Sequence, residues 1–148
     1  GAVHISQALI PMAKIAGFDI TVIDPRGSFA TSTRFPNVKI SEEWPDDALQ
    51  KFNADSRTAI VTLTHDPKLD DPALEVALKT DAFYIGSLGS RRTHASRLER
   101  LALSGFNEKD FARIHAPIGL DLGATSPEEI AVTILAEMIA VKHGKLNV

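Results

Sequence analysis

Tyr84-Ile85-Gly86-Ser87-Leu88-Gly89-Ser90-Arg91-Arg92 reads as the end of a strand, a glycine-rich turn and the start of a helix. Residues 82–85 are short and apolar, as in a buried strand, and residues 92–103 carry a helical pattern closed by Gly105. Working outward, the same alternation recurs. Residues 58–63 form a β-branched strand ended by Thr64-His65-Asp66-Pro67, and residues 72–79 read as a helix with Pro72 in its first turn and Ala73, Leu74, Ala77 and Leu78 on one face. Upstream, the strand at 18–23 stops at Asp24-Pro25-Arg26-Gly27. Ahead of it, Ile5, Ala8, Leu9, Met12, Ile15 and Ala16 mark one face of a helix ending near Gly17. Residues 28–57 are acidic and weakly patterned, with a short helix over 46–52. Downstream come a short helix at 109–114 and an apolar strand at 117–122. The last helix has the clearest start: Ser126 as cap, Pro127 at its first position and Glu129 three residues after the cap, running to about Lys142.

Strands alternating with helices predict an α/β fold in three layers, a doubly wound parallel sheet covered on both faces. One strand is wanting. The chain opens on Gly1-Ala2-Val3-His4 directly before a helix, where a Rossmann-like sheet has its glycine turn after the central strand. The first strand is therefore expected upstream of residue 1, or borrowed from another segment, because a sheet without it leaves backbone groups unpaired.

Composition sets the outer limits. The 148 residues are 44% hydrophobic and 24% charged, so a single domain over 1–148 with one packed core is expected rather than a disordered chain. A net charge of −3 disfavours nucleic acid and anionic membrane as partners. Cysteine is absent, which excludes disulfides, thiolate metal sites and a nucleophilic or sulfur-carrying cysteine in this chain. No apolar run reaches the roughly 18 residues of a membrane span and no signal peptide opens the chain, so a cytoplasmic location is expected.

Three constellations could carry chemistry. The first is a dinucleotide site: Gly1 and His4 in a glycine turn, then Asp24 at the end of the next strand, near the usual spacing of about 20 residues for a carboxylate that accepts from a ribose hydroxyl. Its fingerprint is degraded, with Val3 and Ser6 where the second and third glycines belong. Arg26 leaves open which of NAD and NADP such a site would take. The second is Gly86, Gly89, Ser90, Arg91 and Arg92, where converging amides, a helix N-terminus and guanidinium groups suit a phosphate. A solvated basic helix face behind a tight glycine turn is the plainer alternative. The third is Thr64, His65 and Asp66 with Asp70 and Asp71, at another strand end. His65 and Asp66 are the candidates for proton transfer, against the plainer role of capping and bracing a turn. No spacing identifies a metal site, and no serine–histidine–acid order supports a nucleophile.

Taken in order, five blocks are distinctive: Gly1-Ala2-Val3-His4, Val22-Ile23-Asp24-Pro25-Arg26, Thr64-His65-Asp66 with Leu69-Asp70-Asp71-Pro72-Ala73-Leu74, Tyr84 to Arg92, and His115-Ala116-Pro117-Ile118-Gly119-Leu120 with Ser126-Pro127-Glu128-Glu129-Ile130-Ala131. The set resembles the C-terminal Rossmann domain of the xanthine dehydrogenase accessory protein family (XdhC/CoxI). The resemblance implies a maturation factor that binds molybdenum cofactor (molybdopterin), promotes its sulfuration and delivers it to a molybdenum hydroxylase client of the xanthine dehydrogenase type. It implies that Gly86, Gly89, Ser90, Arg91 and Arg92 grip the pterin phosphate, that Asp24 and Arg26 flank the sugar or pterin, and that His65 and Asp66 line the mouth. It also implies a partner such as a cysteine desulfurase for the sulfur chemistry, and is compatible with a homodimer. The reading from a different class is an NAD(P)-dependent oxidoreductase with Asp24 choosing the ribose and His65 as acid or base.

Overall fold

The computed structural model describes residues 2–28 and 30–146. α1 (Ala2–Ile15) leads to β1 (Thr21–Ile23) and, through a helix-free loop, to β2 (Lys39–Ser41). Then follow α2 (Pro45–Phe52), β3 (Ala59–Thr62), α3 (Pro67–Ala77), β4 (Tyr84–Ser87), α4 (Arg91–Leu103), α5 (Glu108–Phe111), β5 (Ile114–His115) and α6 (Pro127–Lys142). Every strand pair is parallel. β1 pairs with β2, and β3, β4 and β5 pair in that order, so β1 and β3 belong to separate pieces of sheet among the described residues. None of the described helices is long and apolar enough to cross a membrane.

The period-two rule of strands sorts side chains to opposite faces. Ile60, Ile85 and Ile114 pack with Leu49 of α2, Leu74 and Ala77 of α3 and Leu101 of α4. Tyr84, with Ala59 and Val61, packs on the other face with Ile5 and Leu9 of α1 and Ala131, Ile134 and Met138 of α6. The result is the three-layer α/β arrangement expected from the sequence.

Local signals explain most boundaries. Ser126 caps α6 by accepting from the Glu129 amide, while Glu129 accepts from the Ser126 amide, a reciprocal capping box. α3, by contrast, begins five residues earlier than its second Asp-Pro pair predicts: Asp66 is the cap, Pro67 opens the helix and Pro72 lies inside it. The earlier start buries Leu69 and Asp70, which outweighs the backbone hydrogen bond that Pro72 cannot donate. The strand expected over 117–122 does not form. Pro117 has no N–H for a ladder and Gly119 takes φ +94°, so the chain turns onto α6, where the Leu120 amide donates to Thr133 O. Strand β5 lies just before it. β2, with Ile40 as its only apolar residue, had no readable pattern. On α1, Ile10 and Ala13 are buried while Ile15 stands 88% exposed, so the buried face is rotated from the one the periodicity predicts.

A buried polar knot ties the second face together. The Tyr84 hydroxyl donates to Glu137 Oε1 at 2.5 Å, and the Gly119 amide donates to the same oxygen at 3.1 Å. Burial, reinforced by this carboxylate, holds the Tyr84 phenol protonated far above its ordinary range. The His115 ring stacks on Tyr84 with centroids 4.9 Å apart. Gly86 faces this cluster with no spare room: a Cβ there would meet Ile118 Cδ1 at 2.6 Å and Tyr84 Cε2 at 2.7 Å.

This packing makes two outcomes measurable. Gly86→Ala should destabilise the fold by about 1–3 kcal/mol, read as a lower urea midpoint with unchanged slope. Burial holds the His115 imidazole below its ordinary 6.5, with Glu137 opposing weakly, and burial lowers half-buried His94 as well. The unfolded chain therefore takes up protons that the folded one resists, and stability declines as pH falls below about 6.5, levelling only once the folded rings titrate. His115→Phe, which can keep the stack, should shrink the stability lost between about pH 7.5 and 5.5, and an unchanged loss would show that His115 is not the group responsible.

Candidate functional site

In parallel sheets the chain leaves each strand at its carboxyl end, so the βα turns collect on one edge, where ligands of open α/β sheets bind. After β3 the turn is Thr64-His65-Asp66. Asp70, one turn into α3 and only 3% exposed, reaches back to hold it. Its Oδ1 accepts from the Thr64 hydroxyl at 2.6 Å and its Oδ2 from the His65 amide at 3.1 Å. His65 takes φ +65°, the left-handed region that costs a non-glycine residue on the order of 1 kcal/mol or more, and the Asp70 bond retains it there. Burial pushes the Asp70 carboxyl above its ordinary value, with the Thr64 and His65 donors and the Arg97 charge acting against it. Asp66 is occupied locally: its Oδ1 accepts from the Lys68 amide at 3.0 Å as the cap of α3.

After β4 the chain makes a second turn through Leu88, Gly89 and Ser90. The Leu88 amide donates to Thr62 O at 3.0 Å, and beneath it the Thr62 and Ser87 hydroxyls share a buried hydrogen bond of 2.7 Å. Gly89 takes φ +139°, which a side chain would strain, and a Cβ there would also meet Thr93 Cγ2 at 3.0 Å. Ser90 Oγ caps α4 by accepting from the Thr93 amide at 3.1 Å. The first amides of α4 have no acceptor within the helix, which with the macrodipole favours an anion there. Arg91 and Arg92 stand exposed at this helix start. Arg97 lies under the turn, buried, with Nη2 donating to Leu88 O at 3.1 Å.

β1, in the other piece of sheet, leads into Asp24. Asp24, 8% exposed, accepts from the Arg26 amide at 2.9 Å and from the Arg26 side chain in a two-bond fork, Nε to Oδ1 at 3.0 Å and Nη2 to Oδ2 at 2.9 Å. That hydrogen bond raises the Arg26 guanidinium above its ordinary value, and the charges of Asp66 and Asp70 add to the effect.

The predicted site residues therefore divide. Thr64, His65 and Asp66 lie on one edge of the β3–β5 sheet, as do Gly89, Ser90, Arg91 and Arg92, while Asp24 and Arg26 follow β1 in the other piece of sheet. Gly86 is within β4 and serves packing. Gly1 lies outside the described residues. His4 is a correction: it is not in a glycine turn but in the first turn of α1, exposed, because the helix already begins at Ala2. Sequence reasoning counts Arg97 only as one of the charges, with Arg91, Arg92 and Arg100 against Glu99, that make the stretch after Gly89 basic; it gives no role to His94, and it places Asp70 without its function. For Arg97 the readable signal was its spacing of four from Leu101, which puts it on the inward face of α4. The concavity lined by Glu43 and Trp44 ahead of α2 and by Asp47, Gln50 and Lys51 on it shares no residue with these turns. Among the described residues no group of three or more His, Cys, Asp or Glu is placed to hold a metal ion.

Asp70→Ala should cost about 1–3 kcal/mol of stability by orphaning the Thr64 hydroxyl and His65 amide. It should also speed hydrogen exchange at His65, measurable residue by residue by NMR. Exchange at His65 as slow as in the unmodified protein would show that Asp70 does not hold the turn.

Comparison with known proteins bears on this edge. Residues 1–138 match the family model described as the XdhC Rossmann domain. The chain is 34% identical over 137 residues to a Bacillus subtilis protein named as a probable subunit of xanthine dehydrogenase, covering 90% of this chain and 39% of that protein. It is 33% identical over 115 residues to the molybdenum cofactor insertion chaperone PaoD of Escherichia coli, covering 78% and 35%. A third relative, YqeB of Escherichia coli, is 31% identical over 146 residues, 97% of this chain and 27% of that one. A crystal structure described as a xanthine dehydrogenase from Bacillus halodurans superposes with a TM-score of 0.81 at 29% identity, covering 98% of this chain and 41% of that one. The chain thus spans well under half the length of each relative.

Proposed function

From the premise that this chain belongs to the XdhC Rossmann-domain family, we propose that it is the cofactor-handling module of a maturation factor for molybdenum hydroxylases. In this reading it receives molybdenum cofactor as cargo and helps pass it to a client of the xanthine dehydrogenase type in the cytoplasm. The observation that carries the proposal is the pairing of two rigidly held turns, Thr64-His65-Asp66 and Leu88-Gly89-Ser90, at one sheet edge, with the open amides of α4 and the Arg91 and Arg92 guanidinium groups beside them.

The chemistry fits the cargo. Molybdopterin ends in a phosphate, which amides at a helix start and guanidinium groups bind well. Asp24 with Arg26 would flank the pterin or an attached nucleotide, and His65 with Asp66 would line the mouth. The NAD(P) reading asks Asp24 to accept ribose hydroxyls, yet its carboxylate is committed to the Arg26 fork. Two relatives are named for work of the proposed kind, a molybdenum cofactor insertion chaperone and a probable component of xanthine dehydrogenase. Because the chain contains no cysteine, sulfuration would be the work of a partner such as a cysteine desulfurase.

Equilibrium binding of molybdopterin to the unmodified protein and to Arg91→Ala with Arg92→Ala tests the proposal. Each charge-assisted contact to phosphate lost should cost roughly 1.5–3 kcal/mol. Equal affinity in both would remove the arginine grip, and NADH fluorescence that changes on mixing would favour the oxidoreductase instead.

A further inference from the structure

Arg97 is 2% exposed, and no carboxylate among the described residues forms an ion pair with it. Its nearest acids are engaged elsewhere: Asp70 with Thr64 and His65, Asp71 with Arg100 in a fork of 2.5 and 3.2 Å. Nη2 donates to Leu88 O, and Nη1 lies 3.4 Å from His94 Nδ1. Nε has no partner, the one such buried side-chain polar atom among the described residues. Burial pulls the Arg97 guanidinium below its ordinary value and the nearby Asp70 and Asp71 charges only partly offset this, so an arginine kept here calls for a reason beyond packing.

Peptide geometry supplies one. In a planar trans peptide the C=O and the following N–H point in opposite directions. Arg97 draws the Leu88 carbonyl toward itself, and the Gly89 N–H of the same peptide must then point away from the buried guanidinium. Gly89 alone tolerates the resulting φ of +139° without strain. The guanidinium also lies directly below: Nη2 is 3.7 Å from where a Gly89 Cβ would be. Its charge opposes that of Asp70, which would otherwise present an unbalanced negative charge beneath an anion site. Arg100 and His94 are the other titratable neighbours, the first neutralised by Asp71.

We propose that Arg97 is the positioning residue of this edge: a buried cation that turns the Gly89 amide toward the ligand and sets the field under the β4–α4 turn for a phosphate-type anion. The inference rests on the anion reading above and deepens it, assigning the buried rather than the exposed arginine to the set-up of the site.

Calorimetric titration with pyrophosphate as the probe, alongside ¹⁵N NMR of the same samples, tests it. The unmodified protein should bind, with the Gly89 amide resonance shifting on saturation. Arg97→Met should bind at least about tenfold more weakly, and Arg97→Lys, which retains the charge and a donor for Leu88 O, should recover most of the loss. A merely structural arginine would show its effect in the unfolding midpoint of both variants and not in the charge-dependent recovery. An Arg97→Met protein that folds and binds like the unmodified one overturns the inference while leaving the anion reading intact. Should Arg97→Met fail to fold, a Gly89 amide unmoved by saturating pyrophosphate overturns it equally. Absence of any pyrophosphate binding by the unmodified protein removes the anion reading itself, and this inference with it.

Discussion

The carboxylate of Asp70 organises the functional edge. It is buried, it satisfies a hydroxyl and an amide from the turn after β3, and it keeps His65 in a backbone conformation the residue would not hold alone. A carboxylate in this position is costly unless its oxygens are filled, and both are. The same demand explains where α3 starts. Only a helix that begins at Pro67 puts Asp70 in its first turn, within reach of Thr64.

Buried polarity is arranged differently on the two sides of the sheet. On the α1 and α6 side, Glu137 gathers the Tyr84 hydroxyl and the Gly119 amide, and its role is to seat the segment after β5 against α6. Beneath the β3 and β4 turns, Asp70 and Arg97 each engage a turn rather than one another. That difference separates a structural knot from a prepared site. In the first, one carboxylate oxygen takes two donors of the fold, whereas the second keeps a buried guanidinium with one nitrogen unpartnered.

The glycines separate in the same way. Gly86 and Gly119 are there because side chains press on them, Ile118 and Tyr84 on the one and Thr133 on the other. Gly89 and Gly119 also take left-handed backbone angles, φ +139° and +94°, that a side chain would strain. The run from Gly86 to Arg92 therefore divides: Gly86 serves packing within β4, while Gly89 shapes the turn that leads into α4. Asp24 shows a comparable division. It occupies the position of a ribose-reading acid, but its carboxylate is taken up by the Arg26 fork.

Periodicity and punctuation determined the class of this protein. Short apolar runs alternating with amphipathic ones dictated parallel strands under helices, and Ser126, Pro127 and Glu129 marked the start of α6 through bonds made within four residues. The β3 and β4 turns were legible for the same reason, since glycine, proline and aspartate act locally. Other features needed the tertiary structure. Which of two Asp-Pro pairs starts α3 was decided by burial of Leu69 and Asp70, and the lone Ile40 became a strand only through its partner Val22. Arg97 looked like one more solvated charge on a basic helix, and its burial beneath Leu88 depends on how α4 crosses the sheet. Local chemistry is written in neighbouring residues, while the meeting of distant side chains is set by packing, which no short stretch of sequence contains.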